Sequence, residues 1–217
     1  SRRQLIIHEV MGRNCGWLTA ATADYYRQRL KRKEFFNQNG LKRDSWDIHA
    51  VYLPEEEIDI SVESQRLNDI MDSHDCVNVF LSEGAGVDNI IKDLESKGTK
   101  VKRDAFGHVR LDEINPGKWY AKKITEWTRA KKVLVQKSGY FARSAAPNQN
   151  DISLIDRISE KAVDYALNNR SGVAALSDNH NQEIKCIDFT KIKGGKPFDC
   201  SQAWYQEMLN EIGQKKG

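Results

Sequence analysis

The chain has 217 residues, 39% of them hydrophobic, with 34 Lys and Arg against 31 Asp and Glu and a net charge of +3. That length allows one large α/β domain or two small ones, with apolar content enough for a core, which excludes disordered, collagen-like and disulfide-scaffold classes. A mixed-sign surface this close to neutral exerts no global pull on nucleic acid, and no apolar run approaches the ~20 residues of a membrane span. Cys15, Cys76, Cys186 and Cys200 form no C-x-x-C pair. With no signal-like segment at the start, they are expected to be reduced, mostly buried thiols of a cytoplasmic protein. Ser1-Arg2-Arg3 leads straight into an apolar run without an initiator Met, which suggests part of something longer.

Residues 4–10 read as a buried strand ending at a glycine-bearing turn. Residues 18–30 have apolar side chains at helical spacing, and 31–45, with Asn37, Asn39 and Gly40, read as a polar surface excursion. A second strand is expected over 47–53, stopped by Pro54, then a helix opened by Ser61 and Ser64 and running through Met71. The third strand covers 76–81 and the next helix 87–97, closed by Gly98. A loop-rich stretch follows over 100–116. Helix resumes at 117–129 after Pro116, a favoured start residue, and 132–136 is the fourth strand. Residues 151–168 form a long helix with Ile152, Ile155, Ile158, Ala162, Val163 and Ala166 on one face. Segments 172–176 and 183–187 pair around a polar turn at 178–181, and a last helix covers 201–212. Strands alternating with helices of these lengths predict a parallel, doubly wound α/β sheet with helices on both faces.

In open α/β sheets, ligands bind beyond the carboxyl ends of the strands. Met11-Gly12-Arg13-Asn14-Cys15-Gly16-Trp17 follows the first strand and precedes a helix. Glycines let backbone amides approach a ligand, a helix N-terminus favours an anion, and arginine supplies a charged fork for phosphate or carboxylate. The same residues also fit an ordinary strand-to-helix turn with a surface arginine. Ser82-Glu83-Gly84-Ala85-Gly86 sets a carboxylate at the end of the third strand, suited to sugar hydroxyls or a metal-bound water, or else to offsetting a helix dipole. After the fourth strand, Tyr140 and Arg143 at i and i+3 share a face of a helical turn, as an oxyanion clamp or as a packing pair. His108, in Phe106-Gly107-His108, either donates to phosphate or caps a turn. His8, His49, His74 and His180 have no partner at metal-ligand spacing and read as structural or solvent-facing. The clusters Lys31-Arg32-Lys33 and Lys215-Lys216 read as solvated faces. Several anion-friendly strand ends on one sheet point to a small phosphorylated, polyhydroxylated ligand.

Glu9-Val10-Met11-Gly12-Arg13-Asn14-Cys15-Gly16-Trp17 resembles the E-V-M-G-R-x-x-G-[WYD] motif of the phosphofructokinase family. Ser82-Glu83 is similar to that family's strand-end glutamate, and Gly107-His108 to its G-H motif. The segment from Ser138 to Asn148, with Tyr140, Arg143 and Ser144, resembles the Y-x-x-R-[SA] segment of pyrophosphate-dependent members. Order and spacing agree as far as Gly194-Gly195-Lys196-Pro197-Phe198, and the match is to the C-terminal half of such an enzyme. The G-H segment has Leu111 where ATP-dependent members carry arginine, and the arginine seven residues before the motif methionine falls on Gln4.

The resemblance implies the phosphofructokinase fold, a Rossmann-like doubly wound sheet, with residues 1–217 as its substrate-binding portion. It implies phosphoryl transfer from pyrophosphate to the 1-hydroxyl of fructose 6-phosphate, with ATP-dependent transfer or a non-catalytic sugar-phosphate-binding module as alternatives. Met11, Gly12 and Arg13 would contact fructose 6-phosphate, Glu83 its sugar hydroxyls, Tyr140 and Arg143 its 6-phosphate end, and His108 a substrate phosphate. The G-G-D-[GD] donor loop and the T-I-D-N-D segment do not occur in these residues. The catalytic base, the Mg2+ ligands and the donor-phosphate site are therefore expected upstream, no catalytic residue is assigned here, and these residues alone are expected to be inactive. A cytoplasmic homo-oligomer, dimer or tetramer, goes with the resemblance.

Overall fold

β1 (Gln4–Val10) is built from the Leu5-Ile6-Ile7 run, with Leu5 and Ile7 fully buried on one face. The computed structural model describes residues 3–35, 42–105, 107, 109–177, 183–192 and 195–214. Expectations resting on Asn37, Asn39, Gly40, Phe106, His108, the 178–181 turn with His180, Gly194 and Lys215-Lys216 lie outside the described residues. After β1 come α1 (Trp17–Lys31), β2 (Ala50–Tyr52), α2 (Ile60–His74), β3 (Cys76–Ser82), α3 (Val87–Ser96), the single turn α4 (Leu111–Ile114) and α5 (Pro116–Thr128). Then follow β4 (Lys132–Lys137), α6 (Gly139–Ser144), α7 (Gln149–Leu167), β5 (Val173–Leu176), β6 (Ile184–Ile187) and α8 (Ala203–Glu211).

Four strands form one parallel sheet in the order β2-β3-β1-β4. Parallel neighbours require crossovers, and the helices cover both faces, as expected. On one face Leu67 and Met71 of α2, Ile90 of α3, and Tyr120 and Ile124 of α5 pack with Leu5, Ile7, Val77, Val79 and Leu81. On the other, Ala20 and Ala23 of α1 and Tyr205, Met208 and Leu209 of α8 pack with Val10, Val51 and Phe80. Alanine at positions 20 and 23 lets α1 lie close to the sheet. Arg27 of α1 is 8% exposed and binds Asp47 at 2.8 and 2.9 Å, fixing the helix to the entry of β2.

The chain divides into two compact units, residues 1–140 with 196–217, and residues 141–195. In the second, α7 packs on the antiparallel β5–β6 pair, and the Tyr165 hydroxyl donates to the Ile184 carbonyl at 3.0 Å. Asn148 and Asp151 form a reciprocal capping box at the start of α7.

Several expectations are corrected. The second strand is only Ala50–Tyr52, because residues 43–46 form a 3-10 turn and the Asp47 carboxylate accepts from Ile48 N–H. α2 starts before Ser61, since Asp59 is its cap and accepts from Ser61 N–H at 2.9 Å and Val62 N–H at 3.1 Å. The loop-rich 100–116 stretch contains α4 and an isolated Arg103–Val109 bridge. The apolar face predicted for 151–168 is present, yet no residue of α7 is buried, and Ile155 and Val163 are exposed. β4 likewise leaves Val133 and Leu134 about half exposed at the sheet edge. All four cysteines are free thiols but only partly buried.

His49 is buried between β2 and β3, and its Nδ1 accepts from Asn78 N–H at 2.9 Å, which puts its proton on Nε2 facing the Asp44 carbonyl at 3.1 Å. Burial lowers its pKa from 6.5 to about 4. An unfolded histidine binds a proton below its ordinary pKa, whereas the folded one does so only near 4. The stability contribution is therefore complete above pH 6.5 and is lost as pH falls toward 4, by roughly 3 kcal/mol at most. His8, stacked on Phe80 at 4.7 Å and lowered by burial, acts in the same direction. The urea midpoint of the chain should fall between pH 7 and pH 4.5, and His49→Gln should flatten that slope. Equal slopes would show that His49 is not the group responsible.

Candidate functional site

The sheet register brings the motif segments together. Val10 lies opposite Ser82 and Glu9 opposite Lys137, so residues 11–13, 83–86 and 138–140 leave the sheet at one end. The first two segments are stitched by three hydrogen bonds. Glu83 N–H donates to the Val10 carbonyl at 2.9 Å, Ser82 Oγ to the Gly12 carbonyl at 2.5 Å, and Gly12 N–H to Glu83 Oε1 at 3.2 Å. Gly12 has φ +144°, and a Cβ there would collide with the Cys15 carbonyl oxygen. A Cβ on Gly84 would overlap the Arg13 carbonyl oxygen. These glycines are thus fixed by close approach of backbone to backbone.

Two carboxylates hold the helix starts at this end. Gly16 N–H, at the start of α1, meets Glu55 Oε1 at 2.9 Å and Oε2 at 3.1 Å, and Phe198 N–H donates to the same Oε1 at 2.8 Å. Gly117 N–H, in the first turn of α5, donates to Glu9 Oε2 at 2.9 Å. Glu9 is 6% exposed, and Lys137 Nζ lies 3.1 Å from its Oε1. The anion-attracting start of α1 is therefore already served by the chain's own Glu55.

Arg13 is exposed and has no hydrogen-bond or ion-pair partner among the described residues. Glu83 is half-buried, its Oε1 committed to Gly12. Met11 and Gly12 are half-buried beside them. Ser138 N–H donates to the Glu9 carbonyl at 2.9 Å and fixes the exit of β4, after which Tyr140 stands 84% exposed on α6. Arg143, also exposed, follows one helical turn later in the second unit. The structure thus brings Met11, Gly12, Arg13 and Glu83 together, with Tyr140 leaving the sheet at the same end. His108 lies outside the described residues. Beside the Glu83 loop is a cavity of about 720 Å3 whose lining includes five carboxylates, among them Glu55, Asp59 and Asp88, against Lys92. Its charge disfavours a phosphate, leaving Arg13 as the nearer anion partner. Among the described residues no three His, Cys, Asp or Glu side chains converge on a metal position, and no helix is long and apolar enough to cross a membrane.

Sequence reasoning missed Glu9 and Glu55 as anchors. An acidic residue inside an apolar strand was a visible signal for Glu9, whereas the contacts of Glu55 span 39 and 143 positions of sequence.

A protein of Methylotuvimicrobium alcaliphilum named pyrophosphate–fructose 6-phosphate 1-phosphotransferase is 51% identical over 215 residues, 99% of this chain. The chain belongs to the phosphofructokinase family. A protein of the same name from Mastigamoeba balamuthi is 48% identical over 215 residues. The chain spans about half the length of these curated relatives, 53% and 52%. No family model matches the sequence. Among solved structures, pyrophosphate-dependent phosphofructokinases from Nitrosospira multiformis and Marinobacter aquaeolei superpose over 98% of this chain and 48% of theirs, with TM-scores of 0.57 and 0.58 at 16% and 15% identity. The fold is the phosphofructokinase fold.

Gly84→Ala should lower the stability of this phosphofructokinase-family chain by about 1–3 kcal/mol, the usual range for forcing atoms into a filled space. Urea unfolding checks it, and an unchanged midpoint would mean that the two loops do not meet as described.

Proposed function

We propose that these residues form the fructose 6-phosphate side of a pyrophosphate-dependent 6-phosphofructokinase, which phosphorylates the sugar 1-hydroxyl to give fructose 1,6-bisphosphate. The observation that supports it most is 48–51% identity, over 98–99% of the chain, to four proteins bearing that activity in their names. The pyrophosphate in those names favours it over ATP as donor.

On this reading, Arg13 pairs with the sugar phosphate from a loop whose backbone is held on both sides. Glu83 accepts from sugar hydroxyls, while Met11 and Gly12 supply the adjoining wall. Tyr140 and Arg143 serve the 6-phosphate end and His108 a substrate phosphate. Phosphoryl transfer depends on positioning and on neutralising charge, and these residues provide the acceptor's share of both. Mg2+ belongs to the same reading, with its ligands, the aspartate base and the pyrophosphate cradle outside these 217 residues. A cytoplasmic dimer or tetramer completes it.

Arg13→Ala and Arg143→Ala in the whole protein should each weaken fructose 6-phosphate binding about 10- to 150-fold, the value of a lost charge-assisted contact of about 1.5–3 kcal/mol. Equilibrium binding checks it, and wild-type affinity in both variants would refute the site. The 217 residues alone should give no turnover with fructose 6-phosphate, Mg2+ and either pyrophosphate or ATP, since a general base typically contributes 10²–10⁴-fold. Fructose 1,6-bisphosphate formation abolished by Glu83→Ala would mean that the base lies within this chain.

A further inference from the structure

The loop that carries Arg13 has two ends, and they are held differently. At Gly12 the amide is bound by Glu83 and the carbonyl by Ser82. At Gly16 the amide is bound by Glu55 alone, through both carboxylate oxygens. Glu55 Oε1 also accepts from Phe198 N–H at 2.8 Å, so one oxygen ties the motif loop to a segment more than 180 residues downstream of it. That segment is firmly seated. Phe198 is 5% exposed and meets Tyr205 edge-on at 5.3 Å, within the apolar cluster that Cys15 and Leu18 border. Gly16 leaves no slack, because a Cβ there would stand 2.7 Å from Glu55 Oε2 and 2.8 Å from Leu53 Cβ. Arg13 itself makes no contact that would fix its guanidinium, so its placement derives from its backbone, and its backbone from these two anchors.

We propose that Glu55 is a positioning residue for Arg13: by holding the Gly16 amide beside that of Phe198, it sets where the loop presents its guanidinium to the sugar phosphate. The inference rests on the fructose 6-phosphate reading of the site. Glu55 touches no reacting atom. If it served only to cap α1, its loss would lower stability and leave ligand affinity as it was.

The test is steady-state kinetics of the whole protein with fructose 6-phosphate and pyrophosphate, alongside unfolding midpoints. Glu55→Ala should raise KM for fructose 6-phosphate about tenfold, within the range that a displacement of ~1 Å produces, with KM for pyrophosphate and kcat little changed. Glu55→Gln keeps an acceptor oxygen and should restore most of the loss. Should Glu55→Ala fail to fold, Gly16→Ala, which pushes the same carboxylate off the same amide, should raise the same KM. A lowered midpoint with an unaltered KM for fructose 6-phosphate overturns the proposal, as does an equal rise in both KM values. Arg13→Ala separates the two levels. If it weakens sugar-phosphate binding while Glu55→Ala does not, only the positioning role falls. If neither does, the reading of the site falls with it.

Discussion

The pairing of Val10 with Ser82 is the constraint on which the site depends. Side chains alternate along a strand, so a one-residue slip of β1 would turn Leu5 and Ile7 out of the core. Burial of those two residues and of Val77, Val79 and Leu81 therefore sets the register with little freedom. The register then brings the Gly12 amide within reach of the Glu83 carboxylate. Core packing and ligand geometry are two results of one alignment.

The same alignment explains a buried charge. A carboxylate as enclosed as Glu9 is costly unless it is paired and hydrogen-bonded. The Gly117 amide and the positive end of α5 meet one oxygen, and Lys137, opposite Glu9 in the ladder, meets the other. Glu55 does for α1 what Glu9 does for α5. With both helix starts served internally, recognition of an anion passes to side chains, and Arg13 is the cation left unpaired between the two carboxylate-held helices. A guanidinium suits that role because it stays charged at any physiological pH and offers a planar fork.

The first, third and fourth strands were legible because each is a dense run of β-branched or aliphatic residues. The second was misjudged at its start, where Asp47 and Ile48 continue the apolar pattern by composition but Asp47 is committed to Arg27. Helical periodicity located α7 correctly and said nothing of burial, since periodicity reports which face is apolar and not whether anything covers it. In the site, the glycine turns and the strand-end glutamate were readable. What makes Gly84 and Gly16 obligatory was not, because the atoms they admit, the Arg13 carbonyl and the Glu55 carboxylate, come from distant sequence.

The strand order also bears on how the chain reaches this state. β1 is the first element of the chain and sits second from the sheet edge, between partners that begin 72 and 128 residues later, from the pairings of Gln4 with Cys76 and Lys132. Closing loops of that length carries an entropic cost that must be met before any ladder bond forms, so folding is expected to be slow for the chain's size. During synthesis at roughly 5–20 residues per second, β1 waits on the order of ten seconds for β4 to exist. Throughout that interval Leu5, Ile6 and Ile7 form an unpaired strand with high β propensity. Its safe passage depends on α1, whose local contacts form early and shelter one of its faces.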